Sequence, residues 1–216
     1  MSMAKRLMSL GAGIGLVALS GGCAGTGEVV TLDVREARSA PKAGPETGRP
    51  AQPVKVAVAA FDDARQEKDG LGVRTHLWGG TTYFAVSGRK TGEVMAEALA
   101  DYLRRKGWQV WVAKPGTDAG QGRPDVTLTG RIQEFSADAK SRVGSTRITV
   151  TSKLVVEGVN AVDGSSVRVR LDGSSAESVI WFDPDDVRAL VQEVLRESVD
   201  KFVANTKIEN RGLRLR

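Results

Sequence analysis

Between residues 124 and 171 the chain sets an apolar or small side chain at alternate positions, and no other feature constrains its fold so strongly. From Pro124 to Phe135, Val126, Leu128, Gly130 and Ile132 fall on one face of an extended chain. From Ser145 to Asn160, Ile148, Val150, Leu154 and Val156 do the same, after a polar break over Asp138 to Gly144. Asp163-Gly164 is a hairpin turn signal, and Val167 to Leu171 is the returning strand. A period of two with one apolar face describes an antiparallel sheet with one buried and one wet side, so these three runs predict a meander.

The rest of the folded part supplies what covers that buried face. Val54 to Phe61 is a continuous β-branched and small apolar run, which predicts a strand buried on both sides. Thr91 to Lys106 carries Val94, Met95, Ala98, Leu99, Tyr102 and Leu103 at helical spacing, and Gly107 supplies a stop. Trp108 to Val112 is a short strand after it. Asp183-Pro184-Asp185-Asp186 combines an N-cap, a proline at the first helical position and early acidic charge. It launches a helix through Val203 whose Val187, Leu190, Val191, Val194, Leu195, Val199 and Phe202 form one stripe. The expected fold is α+β: a mixed sheet with an antiparallel meander and two main helices packed on one face, in a single domain.

The N-terminus follows a different plan. Lys5 and Arg6 precede an apolar run from Leu7 to Leu19, then Ser20, Gly21, Gly22 and the single cysteine, Cys23. This is the three-part layout of a secretory signal. The run is too short to span a hydrocarbon core of about 30 Å as a helix. Gly21-Gly22-Cys23 resembles the lipobox of bacterial lipoproteins, with Ser20 where an apolar residue is usual and Leu19 one step back. That resemblance implies cleavage before Cys23 and acylation of its thiol and new amine, and Ala24 in place of an aspartate implies the outer membrane. The other reading is a plain secretory signal whose end happens to hold a cysteine. The domain boundaries are then a signal over 1–22, a lipidated cysteine and tether over 23–53, a periplasmic α+β domain over 54–207 and a basic tail over 208–216. Within the tether, which holds four prolines between Arg38 and Pro53, only Val29 to Val34 looks able to pair as a strand.

Composition removes several function classes. One cysteine and one histidine, His76, among 216 residues cannot build a disulfide framework or a structural zinc site within one chain. No Gly-x-Ser-x-Gly elbow accompanies His76, and no glycine cluster carries a phosphate-loop ending. Of the 31 basic residues two lie in the signal, which leaves 29 against 26 acidic and a net charge of +3. With no aromatic platform among basic residues, nucleic-acid binding is not expected. No cofactor, metal or catalytic residue is expected.

Three places could carry a surface function. Asp62, Asp63 and Arg65 close the first strand of the domain, where open α/β sheets place ligand crevices. They are either a cation or amine site, or an ion pair that holds the strand exit. Val73 to Val86 reads as two short strands about Gly79-Gly80, bearing His76, Trp78, Tyr83 and Phe84. These rings either complete a small core or split between the domain and a partner. An envelope hydrolase would need a poised carboxylate pair such as Asp62 and Asp63, or Asp138, and neighbours on a strand point to opposite faces.

The order of elements resembles a broad group of small envelope lipoproteins and most closely the YajG-type lipoprotein family. The residues that carry the resemblance are Gly21-Gly22-Cys23, Phe61-Asp62-Asp63-Ala64-Arg65, Leu103-Arg104-Arg105-Lys106-Gly107-Trp108-Gln109-Val110, Asp125-Val126-Thr127-Leu128-Thr129-Gly130-Arg131-Ile132 and the final helix. It covers roughly residues 54 to 205, and Gln66 to Lys90 looks longer and more aromatic than the family pattern. The resemblance implies an outer-membrane lipoprotein, periplasm-facing and non-enzymatic. Related folds serve as auxiliary subunits of envelope transport, secretion or wall-assembly systems. The expected partners are membrane lipid through acylated Cys23 and another envelope protein, bound through Asp62, Arg65, His76, Trp78 and Tyr83. The alternative is a module that binds a small molecule or cell-wall fragment, with the Asp62 and Arg65 corner facing the hairpin aromatics.

Overall fold

The computed structural model describes residues 27–34, 54–87, 90–114 and 122–216. The expected signal over 1–22, Cys23 and the proline-rich stretch of the expected tether lie outside the described residues. One nine-stranded mixed sheet dominates, and two helices share its core cluster.

The predicted meander is the frame. Strands β7 (Val126–Arg142), β8 (Ser145–Asn160) and β9 (Ser166–Val179) pair antiparallel over nearly their whole lengths. β8 alternates without a break, so that Ile148, Val150, Leu154 and Val156 are buried and Arg147 and Lys153 are exposed. β7 runs past the expected end at Phe135 because a register shift between Ile132 and Glu134 changes its phase. Even positions Val126, Leu128 and Ile132 are buried before it, and odd positions Phe135, Ala137 and Ala139 after it. A one-residue insertion of this kind keeps the apolar set on the core side of a long strand.

The other edge of β7 receives three separate groups of strands along its length. β2 (Lys55–Val58) pairs parallel with β7 and with β6 (Gln109–Val112), and Val56, Ala57 and Val58 are all buried, as the continuous apolar run predicts. β3 (Asp62–Asp63) pairs with Arg131 and Ile132. β4 (Gly72–Thr75) pairs parallel with Ala139 and Lys140, and antiparallel with β5 (Thr81–Val86). β5 in turn takes β1 (Glu28–Leu32) in parallel. The tether assigned to 23–53 therefore yields a structural strand, because Leu32 and Val34 bury their side chains in the same core as Phe84.

Helix α1 (Thr91–Arg105) buries Val94, Met95, Leu99, Tyr102 and Leu103. It ends where Gly107, at φ 86°, lets the Trp108 amide donate back to the Leu103 carbonyl at 3.1 Å. Helix α2 (Pro184–Asn205) opens with the anticipated cap: the Asp183 carboxylate accepts from the Asp185 amide at 2.9 Å, and Asp186 accepts from the Asp183 amide at 3.1 Å. Its buried Val187, Leu190, Val191, Val194 and Val199 face the sheet, at about 1.5–3 kcal/mol for each large aliphatic side chain removed from water. Tyr102 donates to Asp200 and so ties α1 to α2; burial first, and then that bond, raise its phenol well above the ordinary range.

The C-terminal segment 208–216, expected as a basic tail, is largely an ordered hairpin of β10 (Thr206–Glu209) and β11 (Gly212–Leu215). Buried Leu213 is gripped by buried Asn160, which accepts from its amide at 2.7 Å and donates to its carbonyl at 3.0 Å. Arg211 pairs with Asp125 at 2.7 Å and Arg214 with Asp163 at 2.6 Å, so these two arginines serve the fold. Bonds from Ser165 first, with Arg214 adding, hold the Asp163 carboxyl down at about 2.

Candidate functional site

The strand exit at Phe61-Asp62-Asp63 is built around two close approaches that only glycine permits. A Cβ on Gly92 would lie 1.9 Å from the Phe61 carbonyl oxygen, and one on Gly130 would lie 2.3 Å from the Phe61 ring. Phe61 thus sits against the first turn of α1 and against β7, and its amide donates to the Gly92 carbonyl at 3.0 Å. The following residues turn Arg65 inward, where only 6% of its surface is exposed.

Every N–H of that guanidinium is used. Nε and Nη2 donate to the two oxygens of Asp63 at 2.9 and 2.8 Å, the bidentate fork that favours arginine over lysine. Nη1 donates to the carbonyls of Gly70 and Phe135 at 2.9 and 3.1 Å, and Nη2 also reaches Thr91 Oγ1 at 3.0 Å. One side chain therefore joins the loop before β4, the bulged part of β7 and the start of α1. The Arg65 guanidinium holds the Asp63 carboxyl below its ordinary value against the opposing effect of burial. Asp62 points elsewhere, to Arg131 at 3.5 Å on the exposed side of the sheet.

Of the two readings of this corner, the geometry fits the ion pair that holds the strand exit, and the Arg65 partner is Asp63. A buried arginine with five donors engaged has none left for a ligand or a partner protein. The carboxylates named for a hydrolase are likewise occupied, Asp63 by Arg65, Asp62 by Arg131 and Asp138 by the Val73 amide at 3.3 Å. Among the described residues no group of three or more His, Cys, Asp or Glu could hold a metal ion.

The hairpin forms where the sequence predicts it, with His76 to Gly80 as its turn. The His76 amide donates to the Gly80 carbonyl at 3.1 Å, and Gly79 and Gly80 take φ of 82° and 90°. His76 shares a 2.8 Å hydrogen bond between Nε2 and Thr82 Oγ1 across the turn. The aromatic rings divide. Phe84 is fully buried and stacks at 6.2 Å on Phe182, which in turn lies under the Arg74 guanidinium at 3.9 Å. Tyr83 points to the other face of β5 and is 46% exposed, between Val73 on β4 and Val29 on β1. Trp78, at the turn, is 92% exposed.

The Asp62 and Arg65 corner is set apart from the turn that carries His76 and Trp78. Arg65 bonds to Phe135 and Thr75 pairs with Lys140, so that turn begins five β7 residues beyond the corner, roughly 16 Å at strand rise. Sequence reasoning also missed Val143, Ile180 and Trp181, the last of which is 88% exposed. Val143 occupies the β7–β8 turn and Ile180-Trp181 the link from β9 to α2. The available signal was local: the apolar run Ile180-Trp181-Phe182 stands immediately before the Asp183-Pro184 helix start, where a loop is expected to be polar.

No helix among the described residues is long and apolar enough to cross a membrane. No known family model matches the chain, and no curated protein does. Solved structures similar to it include a Xanthomonas campestris protein of the DUF330 family, 16% identical with a TM-score of 0.48, the match covering 81% of this chain and 92% of that one. A lipoprotein from Neisseria meningitidis is 14% identical with a TM-score of 0.36, over 70% of this chain and 99% of that one. PelC from Paraburkholderia phytofirmans, a dodecamer, is 18% identical with a TM-score of 0.39, over 69% and 90%. These scores and identities are too low for a fold family or a function to pass from those proteins to this chain.

Proposed function

We propose that this chain is a lipoprotein of the YajG type, anchored in the bacterial outer membrane through acylated Cys23 and facing the periplasm. It is non-enzymatic and binds another envelope component as an auxiliary subunit of a transport, secretion or wall-assembly system. The observation that carries this reading is the lone cysteine placed directly behind a signal-like apolar run and two glycines. An unpaired thiol in an exported chain is otherwise a liability.

The domain supports a binding role through its outer sheet face. Val29, Tyr83 and Val73 stand side by side on β1, β5 and β4, and Val29 and Tyr83 are exposed. A row of apolar side chains on the wet face of a sheet offers area without disturbing the core beneath it. The partner surface is therefore assigned to Tyr83 and its neighbours in place of the Asp62 and Arg65 corner.

Metabolic labelling with radioactive palmitate, comparing the natural chain with Cys23→Ser, tests the root of this reading. Label in the natural chain and none in the variant is expected; equal label in both would end the lipoprotein claim. Crosslinking in intact cells from position 83 then identifies the protein that meets the β1–β5–β4 face. No protein captured there would remove the partner surface while leaving the anchor intact.

A further inference from the structure

Four segments of the chain converge on one end of the large sheet. The Gly27 amide donates to the Thr81 carbonyl at 2.9 Å and Glu28 pairs with Thr82, so β1 begins beside the β4–β5 turn. Thr75 pairs with Lys140, which sets that turn beside the end of β7, and Arg142 pairs with Ser145 across the β7–β8 turn. Thr146 pairs with Val179, so the exit of β9 leaves from the same end. Phe182 folds back onto Phe84 and Arg74 and fixes that exit against the hairpin.

Five of the ten exposed large apolar side chains among the described residues lie here: Leu77, Trp78, Val143, Ile180 and Trp181. They come from three separate turns, and both strongly exposed tryptophans are among them. Lys140, Arg142 and Arg147 flank them on the outer face, exposed and, among the described residues, without an ion pair or side-chain hydrogen bond. Lys140 and Arg147 stand directly opposite each other across β7 and β8, a like-charge pairing that costs stability until an anion relieves it. The acids of the neighbouring α2 start are committed, Asp183 and Asp186 to the helix cap and Asp185 to Arg188 at 2.9 Å, while Glu28 at the start of β1 and Glu177 near the exit of β9 are exposed.

We propose that this end of the sheet is a membrane-docking face that rests on an anionic lipid surface. Trp78 and Trp181 sit at headgroup depth, where the amphipathic indole is favoured, and Leu77, Val143 and Ile180 reach the acyl boundary. Lys140, Arg142 and Arg147 meet the lipid phosphates. The proposal deepens the lipoprotein reading and rests on it for the anchor: Cys23 is four residues before Gly27, at most about 14 Å of chain from the same end. A short leash at this end and projecting apolar turns around it hold the domain upright on the bilayer and leave the Tyr83 row facing sideways.

The full chain carrying Cys23→Ser, mixed with phosphatidylethanolamine and phosphatidylglycerol vesicles whose acyl chains bear bromine, tests docking without acylation. Trp78 and Trp181 emission shifts to the blue and is quenched, each read as the difference between Trp181→Phe or Trp78→Phe and the double variant, in which only Trp108 and Trp111 remain and are not quenched. Replacing Lys140, Arg142 and Arg147 together by Gln weakens vesicle binding by roughly tenfold or more and leaves the melting temperature unchanged. Emission of Trp78 and Trp181 as in buffer overturns the proposal, even where the N-terminal apolar run carries the chain to the vesicle. Crosslinking from position 78 to a protein in place of lipid in intact cells overturns it too. Palmitate labelling is decided separately, so the docking face and the anchor stand or fall on different measurements.

Discussion

The Arg65 corner and the Trp78 end of the sheet have opposite chemistry. At the corner one cation is buried and all five of its donors meet acceptors. At the sheet end three cations are exposed and have no ion-pair partner among the described residues, and two tryptophans stand in water. A saturated, buried charge holds elements together, because removing either partner strands the other in a poor solvent. An unsaturated, exposed cluster contributes nothing to holding the fold and is free to meet something else. Both regions bear residues that a sequence reader marks as functional, and only the state of their neighbours separates them.

The largest effect should follow from breaking the corner. Arg65→Ala removes five hydrogen bonds and leaves Asp63 without its partner, at an expected cost of about 3–5 kcal/mol in denaturant unfolding. Arg65→Lys should recover only part of this, since a single ammonium cannot span Asp63, Gly70, Phe135 and Thr91 together. Unfolding of the alanine variant at the natural midpoint would show that the corner is not structural.

An intermediate effect is expected from acid. The folded-state value of Asp63 is depressed by Arg65, so the stability it contributes is complete above the ordinary carboxylate value of 3.8 and is lost as pH falls through the lower folded value. Stability measured between pH 6 and pH 3 should decline at the acid end, with a smaller decline in Asp63→Asn. Parallel curves for the two proteins would place the acid sensitivity elsewhere.

The smallest effect belongs to the sheet end. Trp78→Ser with Trp181→Ser should change unfolding free energy by less than about 0.5 kcal/mol, because neither ring packs in the core. Thermal unfolding checks this directly. A loss of several degrees would mean that the two rings support the fold, and the contrast with Arg65 would narrow.

Much of the architecture is legible in the chain because its determinants are local. The α2 cap needs only Asp183 to Asp186, the α1 stop needs only Gly107, and β8 alternates across its whole length. Alternation alone ends β7 too early because its apolar phase moves from Ile132 to Phe135, and no local window reports that a partner strand absorbs the extra residue. Arg65 stands out in the sequence as a surface candidate for a related reason. Its five acceptors lie between two and seventy residues away, so the sequence around it reveals a charge but not that every donor is engaged.

Local patterning specifies the one-sided meander, both helices and the aromatic hairpin, and it sets a lone cysteine directly behind an apolar run, since alternation, caps and turn glycines are properties of neighbouring residues. Only the tertiary structure decided that β1 leaves the tether to pair with β5, and that the turns bearing Trp78 and Val143 and the exit bearing Trp181 meet at one end. Those decisions rest on pairings such as Thr75 with Lys140 and Glu28 with Thr82. Strands so far apart in the chain find their register through the shared core beneath them, where Leu32 of β1, Phe84 of β5 and the inward side chains of β7 must pack into one cluster.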